Sequence, residues 1–407
     1  MAVMNLFPSP WAGFRLPLMA ALFALVLGPT AAILGDGGGH GLVAQEILSP
    51  RPGASVTGGT GIVFQSFSFE EEARTGFETI SLLTVPLGAR ANLGSRARLE
   101  VRGHWAQASL TRDDGSEVTI DGVTDTRITV AADVVPGVVT ATVVGLVPTG
   151  RDGFDRDQLE LAGAIASDLL PFRISHWGSG GGGGLFVTAV HSFGLTGVGV
   201  DVGVQRAGEF TVQEGAVGGY RPGDQFQIAA AVDRVVGSAG KMTLRLDGSF
   251  FRDGELDGVN VFRSGSRLGA VGSYSYPLGP ASSGLFYAGY RHRSEGTFLL
   301  VDLDPAISLD PRPSQGTAVV GAAFRTPGLG GVLTPSLDLR ALRRDDGVDQ
   351  GWGVGIGSSG EWGSSAVTVI PGARVRFGSV GVREDVTSGF LGLDLSMQLR
   401  FGAGRQL

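Results

Sequence analysis

The chain has 407 residues, of which 68 are glycine and only 17% are charged, whereas an ordinary soluble domain is roughly a quarter charged. Its 39 acidic and 32 basic residues leave a net charge of −7, which excludes the clustered basic surplus that nucleic-acid partners require. No cysteine is present, so disulfide frameworks and thiolate chemistry are excluded too.

Near the start of the chain Arg15 precedes an apolar run from Leu16 to Leu27, which is followed by the small residues Thr30, Ala31 and Ala32. A positive charge, an apolar stretch and a small-residue end, in that order, predict a secretory signal over residues 1–32, with Ala44 as a second fitting cleavage position. Residues 45–61 then read as a linker. Pro17 and Pro29 interrupt the apolar run, which argues against a spanning helix of about 20 predominantly apolar residues. No comparable run follows. A mature chain that enters a membrane must therefore do so with strands of a closed barrel, the other architecture that satisfies its backbone in lipid.

From residue 62 to 401 the pattern has period two. Leu99, Val101 and Trp105 oppose Arg98, Glu100, Arg102 and His104; Val198, Val200, Val202 and Val204 oppose Gly199, Asp201, Gly203 and Gln205. Met242, Leu244, Leu246 and Phe250 oppose Lys241, Thr243, Arg245, Asp247 and Ser249. Such segments are separated by turn signals, among them Asp113-Asp114-Gly115, Pro136-Gly137, Asp253-Gly254 and Asp345-Asp346-Gly347. Most run for roughly the 9–11 residues of a tilted transmembrane strand. One face is almost uncharged from strand to strand, as lipid contact requires. The expected fold is all-β, a transmembrane antiparallel up-and-down β-barrel with an even strand number, about 14 or 16. On the charged face stand Arg98, Glu100, Arg102, Arg127, Asp201, Asp233, Arg245, Asp247, Asp338, Arg340, Arg374 and Arg376. These are the candidates for the lumen lining, where they would pair across strands or select solutes by charge.

One segment departs from period two. Asp155 is placed to cap a helix from Arg156 to Leu169, ending before Pro171. Leu159, Ala162, Ala166 and Leu170 form its apolar patch. The helix is expected in a long loop projecting from the barrel end, as a cover for the mouth or as a docking patch for an apolar solute. Trp105, Trp177, Trp352 and Trp362, with Tyr274, Tyr276, Tyr287 and Tyr290, suit an aromatic girdle at the membrane interfaces. The last strand alternates Leu391, Leu393, Leu395, Met397, Leu399 and Phe401 with Gly392, Asp394, Ser396, Gln398 and Arg400, before a tail at 402–407. A terminal strand of this kind resembles the signal that the barrel assembly machinery reads.

Catalytic motifs are missing. There is no His-Glu-x-x-His, no Gly-x-Ser-x-Gly and no phosphate-binding loop around the single lysine, Lys241. The Gly-x-Gly-x-x-Gly matches at 178–183 and 355–360 open no helix after a buried parallel strand. His104, His176, His191 and His292 stand singly, so no metal site, cofactor or enzymatic activity is expected.

Gly122-Val-Thr-Asp-Thr, Val-Pro-Thr-Gly at 147–150, the glycine run after Trp177 and Tyr-Arg-Pro-Gly-Asp at 220–224 follow one another in this order. In these motifs the stretch from about residue 60 to 401 resembles the outer-membrane family named for the meta-pathway of phenol degradation, distantly similar to long-chain fatty-acid transport barrels. The resemblance implies passive uptake of small hydrophobic or aromatic compounds across the outer membrane of a Gram-negative-type bacterium. The partners it implies are outer-membrane lipid and lipopolysaccharide, the assembly machinery and a small apolar solute, with no nucleic acid. The segment before the first strand is short, so no N-terminal plug of the fatty-acid-channel type is expected. The rival readings are a closed structural barrel and a barrel enzyme such as a lipase or protease.

Overall fold

The computed structural model describes residues 56–70, 76–151, 153–211, 213–214, 218–237, 240–299, 313–345, 350–364, 366–383 and 386–403. The expected signal at 1–32, the linker as far as residue 55 and the tail beyond residue 403 lie outside them. The first strands are β1 (Val56–Phe69), β2 (Phe77–Leu93) and β3 (Ala97–Arg112), followed by β4 (Glu117–Val123) and β5 (Thr126–Val135). Next come β6 (Val139–Val147), α1 (Arg156–Ile165), β7 (Gly182–Phe193), β8 (Thr196–Ala207) and β9 (Tyr220–Arg221). β10 (Gln225–Val236), β11 (Gly240–Phe251), β12 (Asp253–Leu256), β13 (Val259–Arg263), β14 (Arg267–Pro277), β15 (Ser283–Arg293) and β16 (Thr297–Phe298) continue the chain. β17 (Gln315–Gly328), β18 (Gly331–Arg344), β19 (Gly351–Gly363), β20 (Val367–Arg383) and β21 (Val386–Ala403) complete it.

Each barrel strand pairs antiparallel with its neighbour, and β21 closes on β1 in register from Val56↔Ala403 to Phe69↔Phe390. The result is a closed 16-strand barrel, in which β4 and β5 share β3 as partner and act as one strand broken at Thr124-Asp125. Strand begins at Val56 rather than at residue 62, so the last residues of the expected linker belong to β1. β2 and β3, at 17 and 16 residues, are also longer than the expected strands. Tight turns at one end, such as Gly194-Leu195 and Leu329-Gly330, alternate with long connections at the other. Outer-membrane barrels place short turns in the periplasm and long loops outside.

The two faces separate as period two dictates. Leu391, Leu395, Met397 and Phe401 on β21, and Met242, Leu244, Leu246 and Phe250 on β11, are exposed on the outside. A belt of large apolar side chains on this scale belongs in lipid, and the protein is an outer-membrane barrel. Of the aromatic residues expected in a girdle, Trp352, Tyr274 and Tyr290 do face outward. Two do not: Trp177 is buried inside the barrel, and Tyr287 shares the inner face with Ser273 and Gly321.

The segment between β6 and β7 does not project from the barrel end; it folds into the bore. Asp155 caps α1 through a reciprocal capping box: Gln158 N donates to Asp155 Oδ1 (2.8 Å), and the Gln158 side chain accepts from Asp155 N. The helix stops at Ile165, short of the predicted Leu169, because Ser167 Oγ accepts from the N–H groups of Leu169 and Leu170 and turns the chain. Leu159, Leu161, Ala162 and Ile165 pack on Phe67, Ile80, Leu82, Ala106, Ala108, Leu110 and Ile120, the inner faces of β1 to β4. Each large side chain so buried contributes roughly 1.5–3 kcal/mol. Arg112 Nη2 fastens the helix from the wall by reaching Asp157 and Glu160, both at 2.8 Å.

Both ends of this plug close on one carboxylate. Asp125, buried at the break between β4 and β5, accepts from Gly150 N (3.0 Å) at the start of the segment. It also accepts from Ser179 N (2.8 Å) and Ser179 Oγ (2.6 Å) at the segment's end. A Cβ at Gly150 would lie 2.1 Å from the Trp177 carbonyl, so the two ends approach this closely only with glycine there. Three of the short motifs read from the sequence thus meet at one knot. The fourth lies in a small sheet of β9, β12, β13 and β16 at the loop end, where Phe210, Tyr220, Val261 and Phe262 form a separate core. Burial raises the Tyr220 phenol above its ordinary pKa.

Candidate functional site

The interior is built from the inward residues of all strands, and the cross-strand registers decide which of them meet. Asp338 on β18 and Arg374 and Arg376 on β20 come together across the whole width of β19: Arg374 Nη1 lies 2.6 Å from Asp338 Oδ1, and Arg376 Nη1 lies 3.0 Å from Asp338 Oδ2. Gly355, between them on β19, makes this possible, since a Cβ there would sit 2.8 Å from Asp338 Oδ1. Gly355, the first glycine of the Gly-x-Gly-x-x-Gly match, therefore clears space for charge inside a strand. Arg376 Nε continues to Asp394 Oδ2 (2.8 Å), and Gln65 Nε2 to Asp394 Oδ1 (3.1 Å), so one network runs from β18 to β1.

This network holds the plug. Gln65 Nε2 donates to the Pro171 carbonyl (2.9 Å), and Arg173 N donates to Gln65 Oε1 (2.6 Å). Arg340 Nη1 on β18 donates to the Asp168 carbonyl (3.1 Å), while the Asp168 carboxylate accepts from Gln315 on β17 and lies 4.0 Å from Arg293 on β15. Residues 168–173 are a strap across the bore, from the β15–β18 wall to β1. Burial alone would raise the Asp168 carboxyl, but Arg293, Arg291 and Arg267 outweigh it and hold the group below its ordinary pKa.

The other candidates from the sequence lie on the same inner face in separate groups. Glu100 takes Arg102 Nε at 2.5 Å and Arg90 Nε at 4.0 Å, while Arg98 and Arg127 join that face through the registers Asn92↔Arg98 and Arg102↔Arg127. Asp201 accepts from Thr188 (2.6 Å), Asp233 from Thr243 (2.6 Å), and Lys241 Nζ lies 3.2 Å from Asp233. Arg245 and Asp247 are 3.9 Å apart. Position along the bore separates the β10–β11 group from the arginines at the strap. Near the turn end Lys241, Asp233 and Arg245 keep about half of their side-chain surface open, at 54%, 46% and 51%. Near the loop end Arg293, Arg340 and Arg376 are buried.

One group of candidates is corrected. Leu159, Ala162, Ala166 and Leu170 are each no more than 5% exposed, packed into the plug and wall, so these four do not form a docking patch open to solute. An apolar stripe looks for the nearest apolar surface, and the inner faces of β1 to β4 supply one. Asp168, Gln65, Arg267, Arg291 and Arg293 join the site without having been expected there. Two signals were available: Arg291 and Arg293 stand two apart in a strand, hence on one face, and Asp168 is a lone charge in the apolar run Leu161 to Phe172.

No protein-family model and no curated protein sequence matches the chain. Among solved structures, OprB of Pseudomonas putida is similar at 10% identity, over 88% of this chain and 96% of its own, with a TM-score of 0.46. The CymD monoaromatic hydrocarbon channel is similar at 14% identity, over 93% of this chain and 98% of its own, with a TM-score of 0.44. A bacterial polysaccharide outer membrane secretin is similar at 12% identity, over 84% and 98%, with a TM-score of 0.44.

Proposed function

We propose that the protein is an outer-membrane channel that admits small, hydrophobic or aromatic compounds by diffusion, its bore narrowed by its own plug. The observation that carries this reading is the difference in exposure along the lumen between β10–β11, where charged side chains stand half open near the turn, and the strap, where they are buried. Barrels of about 16 strands are wider than their side chains can fill, so the turn-end half is a wet vestibule and the loop-end half a constriction. Solute class follows the sequence resemblance, with size limited by the strap. Lipid and lipopolysaccharide cover the exposed apolar belt, and the assembly machinery reads Leu391 to Phe401.

The test is conductance in planar bilayers combined with uptake of a panel of apolar and polar solutes into proteoliposomes. Measurable conductance, with faster passage of small aromatic compounds than of sugars, is the expected result. A second reading, a closed structural barrel, is favoured by the helix and strap in the bore. It predicts neither conductance nor uptake from a correctly assembled barrel, and that outcome would replace the channel reading.

A further inference from the structure

We propose that the inner wall of β14, β15 and β18 carries a binding site for small organic carboxylates, which the plug's own Asp168 fills as an internal stand-in. Arg267 and Arg293 are direct cross-strand partners, and Arg291 stands on the same face one pair deeper, opposite Gly269. Arg340 reaches the same place from β18. Arg267, Arg293 and Arg340 are at most 8% exposed. Guanidinium groups gathered at such depth repel one another and favour an anion among them, and their planar forks suit a carboxylate. A carboxylate is what the chain places there: Asp168 lies 4.0 Å from Arg293 and accepts from Gln315. Its side chain stays 35% exposed, so the position opens to the lumen. Asp247, opposite Gly269, bounds the site on its turn side.

An independent observation extends the site away from Asp168. Ser249 is the cross-strand partner of Arg267, and Gln227 that of Ser249, with Gln225 and Gln205 one pair nearer the loops. These residues are 0–5% exposed, yet Ser249 Oγ, Gln227 Nε2, Gln205 Oε1 and both polar atoms of Gln225 find no hydrogen-bond partner among the described residues. Buried polar atoms are normally satisfied, and four such side chains on three adjacent strands call for a polar guest. The Phe251 ring, 5.2 Å from Arg267 Cζ, adds a flat apolar surface at the same spot. A solute carboxylate taking the place of Asp168 would release one end of the strap, so binding and opening are coupled. That last step rests on the channel reading; the site itself does not.

The experiment titrates the purified, folded barrel in detergent with sodium benzoate, and with benzyl alcohol as the uncharged counterpart, by calorimetry. Saturable binding of benzoate alone is expected. Asp168→Asn should tighten it by about tenfold, because the internal competitor is gone. Arg267→Gln with Arg293→Gln should weaken it by more than about tenfold. Where the double arginine variant does not assemble, Ser249→Ala with Gln227→Leu keeps the charges and should still lower affinity. No benzoate binding to Asp168→Asn, equal binding of benzyl alcohol, or affinity indifferent to the arginine or Ser249/Gln227 substitutions would overturn the site. In bilayers, benzoate should raise the wild-type conductance towards that of Asp168→Asn. Binding without that rise overturns the coupling and leaves the site. Binding by a barrel that never conducts overturns the channel reading alone.

Discussion

Two walls of the same bore hold the plug in different ways. On β1 to β4 the contact with the helix is mainly apolar: Phe67, Leu82, Ala108 and Leu110 lie sealed beneath Leu159, Leu161 and Ile165, with Arg112 reaching Asp157 and Glu160 at the edge. On β15 to β18 it is polar: Gln315, Arg293 and Arg340 take hold of Asp168 alone. Apolar contact is non-directional and independent of pH, and it scales with the area removed from water. The polar contact is directional, rests on few atoms, and yields when one proton or one competing anion arrives. The helix is thus the fixed half of the plug and the strap the half that can let go.

The largest effect should come from breaking the apolar wall. Leu161→Asp with Ile165→Asp removes two buried side chains worth roughly 1.5–3 kcal/mol each, and it adds carboxylates that cannot stay in an apolar contact. Conductance should rise several-fold and protease should cut between residues 150 and 179, while the barrel still shows heat-modifiable mobility in gels. Unchanged conductance in a correctly assembled variant would mean that the helix does not narrow the bore.

The outer face supplies the next test, since it faces lipid where the inner walls face the plug or water. Leu246→Arg should destabilise the barrel by roughly 2–4 kcal/mol in refolding equilibria if it lies near the bilayer midplane. Thr243→Arg, on the inner face beside the exposed Asp233, should change stability little. Equal losses from the two would contradict the assignment of faces.

More local is the effect expected at the knot. Asp125→Ala removes the acceptor of three hydrogen bonds from Gly150 and Ser179, and hydrogen bonds to charged groups contribute roughly 1.5–3 kcal/mol each at most, without simple additivity. Hydrogen exchange should quicken at both plug ends while α1 stays protected, because its apolar contact remains. Loss of protection throughout the helix would show the two halves to be one cooperative unit.

The smallest effect should come from acid, and it should touch the polar wall only. The folded-state pKa of Asp168 is lowered, because Arg293, Arg291 and Arg267 outweigh the burial that raises it. A lowered value means that docking of the strap is at full strength above the ordinary carboxylate pKa of about 3.9 and is lost as pH falls through the lower folded value. Conductance should therefore hold level from neutral pH to about 4 and rise below it. Asp168→Asn should show the raised conductance at every pH. A rise centred near pH 6 would point to another group.

Much of this molecule was legible in the chain itself. Alternation is a property of neighbouring residues in a pleated strand, so Met242, Leu244 and Leu246 could be set outside and Lys241, Thr243 and Arg245 inside without knowledge of any partner strand. The cap at Asp155 was legible for the same reason: a capping box closes within four residues. The place of the plug was not. Its holds join Gln65 to Pro171 across 106 positions, Gln315 to Asp168 across 147 and Arg340 to Asp168 across 172. Local pattern carries no record of such distances. The apolar stripe of α1 stated only that it needed cover, and an apolar solute, the barrel rim and the inner wall would each have served. Closure of β21 on β1 decided among them, because it curved the faces of β1 to β4 into a concave surface within reach of the helix. Local physics determined which residues face in and which face out; which inward residues touch one another was left to the closed barrel.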